Sequence, residues 1–150
     1  MNLWILGFCR LPSIEGRHDK RRILVNIAVL GAENPADLSH VVGKALIDTG
    51  ATSSGIGPSI VTRLGLQSYG KRPLGSATDE RMMPYYVFRL GFLLREGQDL
   101  PVETPALPYI VGECDGFGWP MPRNFDVIVG MDILSRCRLV IDHERWSLDF

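Results

Sequence analysis

The chain has 150 residues, 45% of them hydrophobic, which is enough to build one domain around a proper core without staples. Its 16 Lys and Arg nearly cancel 17 Asp and Glu, so no broad field draws nucleic acid or an anionic membrane surface, and neither is expected as a partner. The three cysteines, Cys9, Cys114 and Cys137, are odd in number and lack CxxC or Cys/His ligand spacing, and they read as free thiols of a reducing compartment.

The apolar start, residues 1–9, lacks a basic flank and is cut short by Arg10, which argues against a signal peptide or a membrane span and leaves a soluble, cytoplasmic protein as the expectation. Ile14-Glu15-Gly16-Arg17 spells a cleavage tag used in protein expression. Residues 1–21 are therefore set apart as an N-terminal extension, flexible, natural or partly engineered, and residues 22–150 as the folded domain.

From Arg22 onward, runs rich in Val, Ile, Leu and Tyr alternate with Gly, Pro, Asn and Asp clusters, the pattern of an all-β domain. Strands are expected over residues 23–30, 41–47, 72–78, 83–94, 102–111, 126–129, 138–142 and 146–150. In the last, Trp146, Leu148 and Phe150 alternate with Ser147 and Asp149, so the three large side chains share one face. Helix signals are short: Pro58 and Ser59 open one over residues 60–64, with Gly65 placed to end it, and Asp132 is a candidate N-cap for another over residues 133–137. Residues 112–123, with several glycines and prolines, read as the longest loop.

Chemistry concentrates in Ala45-Leu46-Ile47-Asp48-Thr49-Gly50-Ala51, where an apolar strand runs into an acid and then a turn of small residues. A carboxylate at the end of a buried strand is costly unless hydrogen-bonded or used. Thr49 offers a hydroxyl for such a bond, and Gly50 lets the backbone approach the acid and anything bound there. An Asx turn that merely closes a hairpin would use the same residue types, so the string alone leaves both readings open.

A second string, Asp126-Val127-Ile128-Val129-Gly130-Met131-Asp132-Ile133-Leu134, gives an apolar strand, a glycine, an acid and a short helix. Together, in this order, the two strings resemble the paired signatures of retropepsin-like aspartic proteases, and the resemblance covers residues 22–150. It implies an all-β fold: a single-lobe acid-protease barrel with one or two short helices, working as a dimer. By the same resemblance residues 72–90 form a flap whose tip lies near Thr78 and Asp79, Asp48 is catalytic, and Thr49, Gly50 and Ala51 make the active-site loop. Thr49 would join the two loops across the dimer axis, Gly50 would bond the substrate backbone, Ile128 would line a side-chain pocket, and Thr78 and Asp79 would meet substrate.

Peptide hydrolysis by this chemistry needs two carboxylates sharing one proton, and the chain carries a single Asp-Thr-Gly. A homodimer in which Asp48 faces its own copy supplies the second. No metal or other cofactor is implied, and the expected partners are a peptide or protein substrate and a second copy of the chain. The chain departs from retroviral members in lacking an acid just after the motif and an Arg before the second acid, where Thr52 or Ser53 and Met131 stand. Two rival functions remain: a peptide-binding domain with this fold and no catalysis, and a serine hydrolase using Ser53 with Asp142 and His143. The serine reading suffers from the chain's small size and from two adjacent residues at a strand end pointing apart. His18 and His40 lack ligand spacing, and residues 50–57 lack the ending of a phosphate loop.

Overall fold

A computed structural model describes residues 12–75, 78–93 and 108–150. Among the described residues ten strands and two short helices follow one another: β1 Ser13–Arg17, β2 Leu24–Gly31, β3 His40–Ile47, β4 Gly55–Ile56, α1 Pro58–Leu64, β5 Lys71–Gly75, β6 Glu80–Leu93, β7 Pro108–Gly118, β8 Val127–Val129, α2 Met131–Leu134, β9 Arg138–Asp142 and β10 Arg145–Asp149.

Strands β2, β3, β8, β4, β7 and β6 neighbour one another in that order, and β6 pairs back with β2, closing a six-stranded barrel. Closure encloses the inward face of β2, with Ile27 and Val29, and removes the unpaired edges an open sheet would leave; Ala28 and Leu30 on the outward face are also fully buried. Ile27, Val29, Ala45, Ile56, Phe88, Leu90, Phe92, Val127 and Val129 meet inside the barrel, and Ile60 and Ile133 anchor the two helices to the same core. β6 is long enough to serve twice: residues from Ile27 to Gly31 of β2 pair with its second half, while its first part pairs with β5, from Lys71↔Pro84 to Gly75↔Glu80, as a projecting hairpin.

A second, three-stranded sheet runs β1-β10-β9. The alternation read from β10 places Trp146 and Leu148 inward, and Phe150 stacks on Phe92 with ring centroids 4.5 Å apart, tying the end of the chain to the barrel. Residues 13–17, assigned from sequence to the N-terminal extension, form β1 along the other side of β10, with Ile14 opposite Leu148 and Gly16 opposite Trp146.

α1 starts on Pro58 and ends where Gly65 turns left-handed, φ 62°, its N–H bonded to the helix carbonyls, as expected from residues 58–65. Three expectations are corrected. The loop over residues 112–123 is instead strand β7 as far as Gly118; its glycines make room rather than turns, since a Cβ on Gly116 would strike the Ser54 carbonyl and the Phe88 ring. Of the strand expected over residues 72–78, β5 covers residues up to Gly75, residues 76–77 lie outside the described residues, and Thr78 is a bend. The second helix starts at Met131 with Gly130 as its N-cap, so Asp132 lies inside the first turn, where its Oδ1 accepts the Ile133 N–H at 3.0 Å. Of the strand expected over residues 102–111, residues 102–107 lie outside the described residues.

Candidate active site

β3 ends with Ala45 and Ile47 buried in the barrel and hands the chain directly to Asp48. The Asp48 N–H donates to the Val129 carbonyl at 3.0 Å, continuing the β3–β8 pairing one residue beyond the strand and fixing the acid's backbone. The Gly50 N–H donates to Asp48 Oδ1 at 2.9 Å, and the Ala51 N–H to the Asp48 carbonyl at 3.2 Å, which closes the turn. A Cβ on Gly50 would lie 3.2 Å from Oδ1, so glycine keeps the space beside the carboxylate open. Thr49 and Gly50 are exposed, and the Thr49 hydroxyl makes no hydrogen bond among the described residues.

Beneath this turn lies a polar brace of high sequence separation. The fully buried Ser54 donates its hydroxyl to Asp132 Oδ1 at 2.7 Å and its N–H to both Asp132 oxygens at 3.0 Å. The Ser54 hydroxyl also accepts the Gly130 N–H at 3.0 Å. The Met131 and Asp132 N–H groups donate to the carbonyls of Ala51 and Thr52, so the Asp48 turn rests on the start of α2. These bonds tie residues 48–54 to α2 and hold the turn in place.

On one side of the turn, Ala51 packs in a small cluster built on Trp119, Phe125 and Ile128, which Met83 of β6 also joins. Ile128 is 8% exposed within that cluster. Met83 and Trp119 continue outward to line a cleft of about 560 Å³ between the β5–β6 hairpin and the segment after β7, where Asp79 also lies. Thr78 and Asp79 are exposed at the hairpin end, Asp79 bonded to Arg81 at 2.8 Å. At the hairpin's base Arg72 lies 3.8 Å over the Tyr85 ring and 2.6 Å from Asp115, while Tyr86 and Phe88 turn into the core. Hydrogen bonding to Asp115 pushes the Arg72 pKa further up, so its charge is constant.

Asp48, Thr49, Gly50 and Ala51 are therefore contiguous, Ile128 reaches them through side-chain packing, and Thr78 and Asp79 belong to the hairpin across the cleft. Sequence reasoning missed Ser54, Trp119, Met121 and Arg123. The aromatic and proline content of residues 117–125 was the one visible sign of the latter three.

Ser53 makes no side-chain hydrogen bond among the described residues, and His143 sits in the exposed β9–β10 turn at φ 52°, 3.7 Å from Asp142. No group of three metal-ligating side chains gathers among the described residues. No helix is long and apolar enough to cross a membrane there.

No family model matches the chain, and no curated protein matches it. Among solved structures it resembles the crystal structure of a retropepsin-like aspartic protease from Rickettsia conorii, with TM-score 0.56, 15% sequence identity, and 94% of this chain and 93% of that one covered. At that identity the likeness is one of fold. The six-stranded barrel with two short helices is the retropepsin-like fold.

Proposed function

We propose that the chain is an aspartic endopeptidase that works as a homodimer, with Asp48 and Asp48 of the partner subunit facing each other across a two-fold axis. The observation that carries this reading is the Asp48 carboxylate itself. It stands at a strand end on a turn closed by its own backbone, with Gly50 keeping one side open and the Ser54–Asp132 brace beneath.

Two carboxylates that face each other closely across an axis do not both ionise, because like charges push their proton affinities apart, and the pair holds one proton. The ionised carboxylate takes a proton from a water as its oxygen attacks the peptide carbonyl, and the protonated one donates to the carbonyl oxygen. A tetrahedral diol forms, and collapse passes a proton to the leaving amine as the C–N bond breaks. Thr49, whose hydroxyl makes no hydrogen bond among the described residues, bonds the opposite loop, and Gly50 offers its carbonyl to the substrate backbone. Ile128, clustered with Trp119 and Phe125, lines a side-chain pocket. Thr78 and Asp79 close over the peptide from the hairpin.

Cleavage of a diverse peptide library by wild type and Asp48→Asn, over a range of protein concentrations, tests the reading. Wild-type cleavage that rises faster than linearly with concentration and vanishes in Asp48→Asn is the expected result. A fully active Asp48→Asn protein, or activity lost on Ser53→Ala, overturns it. A folded protein that binds peptides and cuts none leaves the binding domain in its place.

A further inference from the structure

The cleft between the β5–β6 hairpin and the segment after β7 has the size of a ligand site, about 560 Å³, and its walls are unusual for exposed surface. Leu74, Met82 and Met121 line it while being 36%, 60% and 69% exposed. Apolar side chains gathered around one opening favour an apolar occupant. Methionine adds adaptability: an unbranched thioether packs against irregular or aromatic partners without demanding one shape.

The charges on the rim are selective. Arg81 already holds a carboxylate, Asp79 at 2.8 Å. Arg123 holds none: its guanidinium lies 5.6 Å from the Trp119 ring centroid and 5.9 Å from that of Phe125, without ion pair or hydrogen bond among the described residues. Asp126 shares a smaller cavity with Arg123, yet it accepts the Lys44 N–H at 2.9 Å and forms no ion pair with the guanidinium. A guanidinium resting on aromatic faces at the mouth of an apolar cleft has a planar fork of donors available for a carboxylate.

We propose that this cleft is a specificity subsite that takes an apolar side chain of a bound peptide and sets a neighbouring Glu or Asp carboxylate on Arg123. The inference rests on the peptidase reading of Asp48 and deepens it, since Trp119 and Met83 connect the cleft to the cluster that contains Ala51. The preferred substrate is then an acidic peptide with an apolar residue beside the acid.

The test uses N-acetylated, C-amidated peptides that place Glu, Gln or Lys beside Leu or Met at successive positions. Cleavage by wild type, Arg123→Gln, Arg123→Lys and Arg123→Glu is measured, and binding of the same labelled peptides to Asp48→Asn, alone and combined with each Arg123 change, is followed by fluorescence polarisation. Wild type is expected to favour Glu over Gln by about two- to fivefold at one position, with Lys last, and the preference shrinks as ionic strength rises. Arg123→Lys keeps the order, Arg123→Gln flattens it, and Arg123→Glu reverses it. Met121→Glu, which adds a carboxylate at the mouth while leaving the guanidinium, weakens the Glu preference and serves if an Arg123 variant fails to fold. Equal handling of Glu, Gln and Lys by wild type, or a Glu preference that survives Arg123→Gln, overturns the proposal. If no peptide is cut, the peptidase reading falls while the subsite is still decided by binding: a Glu preference lost in Arg123→Gln upholds it, and absent or charge-blind binding overturns it.

Discussion

Ser54 and Asp132, 78 positions apart, meet through a 2.7 Å bond from the Ser54 hydroxyl to Oδ1 and two 3.0 Å bonds from the Ser54 N–H. This pair joins the Asp48 turn to α2, and Ser54 is wholly out of water. Removing the acceptor strands two buried donors, so Asp132→Ala is expected to lower unfolding stability by about 2–4 kcal/mol, and Asp132→Asn, which retains one acceptor oxygen, by less. Urea denaturation of the three proteins measures both. A loss in Asp132→Ala no larger than that of an exposed Asp→Ala control would show that the brace contributes nothing.

Gly130 is needed for space and not for an unusual backbone, since its φ of −96° suits any residue. An added Cβ would lie 2.7 Å from the Ser53 carbonyl carbon and oxygen and 2.8 Å from the Ala51 oxygen, all backbone of the active-site turn. Gly130→Ala is therefore expected to cost about 1–3 kcal/mol and to displace that turn. Peptidase activity should fall further than the unfolded fraction explains. Gly31→Ala, where nothing lies within 4 Å, is the control and should be neutral or slightly stabilising. Comparing denaturation midpoints with cleavage rates separates the two outcomes.

What sequence made legible and what it hid divide by the range of the interaction. The strand–acid–turn of residues 45–51 and the alternation in β10 are local patterns, and each is realised as read. Asp132 looked like a helix cap because a nearby N–H is the default partner for an acid before a helix. Its main partner, Ser54, is brought there by the barrel. The glycines of residues 112–118 looked like loop glycines for the same reason. The groups that require their small size, among them the Phe88 and Tyr86 rings and the Ser54 carbonyl, come from distant parts of the chain. Trp119, Met121 and Arg123 carried no motif at all, and only the facing hairpin turns them into a cleft wall.

Arg89, 7% exposed, donates to four backbone carbonyls: Gly31 at 2.7 Å, Pro35 at 3.0 Å, Asn34 at 3.2 Å and Asp37 at 2.5 Å. The loop between β2 and β3 is thus folded around one side chain. Arg89→Met keeps much of the volume but leaves these acceptors to find water, so a loss of about 2–4 kcal/mol is expected. Hydrogen exchange and limited proteolysis should speed up first at residues 32–39. Arg89→Lys should recover only part of the loss, because a single ammonium cannot span four acceptors as a guanidinium does. Unchanged exchange in that loop for Arg89→Met would sink the assignment.

Cys114 is 2% exposed on β7, and its thiol is pushed up to about 12 from an ordinary 9.0, mainly by burial, with the Asp132 charge adding to it. The folded state therefore keeps a proton that the unfolded chain releases once pH passes 9.0. By linkage the contribution is fully present below 9.0 and is lost as pH rises towards 12, with a slope of about 1 kcal/mol per pH unit between them. Lysines and tyrosines also titrate in that range, so the informative quantity is the difference between wild type and Cys114→Ala. Cys114→Ala should be less stable near neutrality, because it leaves a small cavity, yet its stability should fall less steeply above 9.0, so that the two curves converge. The thiol should likewise resist alkylation in the native protein and react on unfolding. Urea midpoints of both proteins, taken from neutral to strongly alkaline pH, decide the matter, and parallel curves would mean that the thiol ionises in the folded barrel as readily as in the open chain.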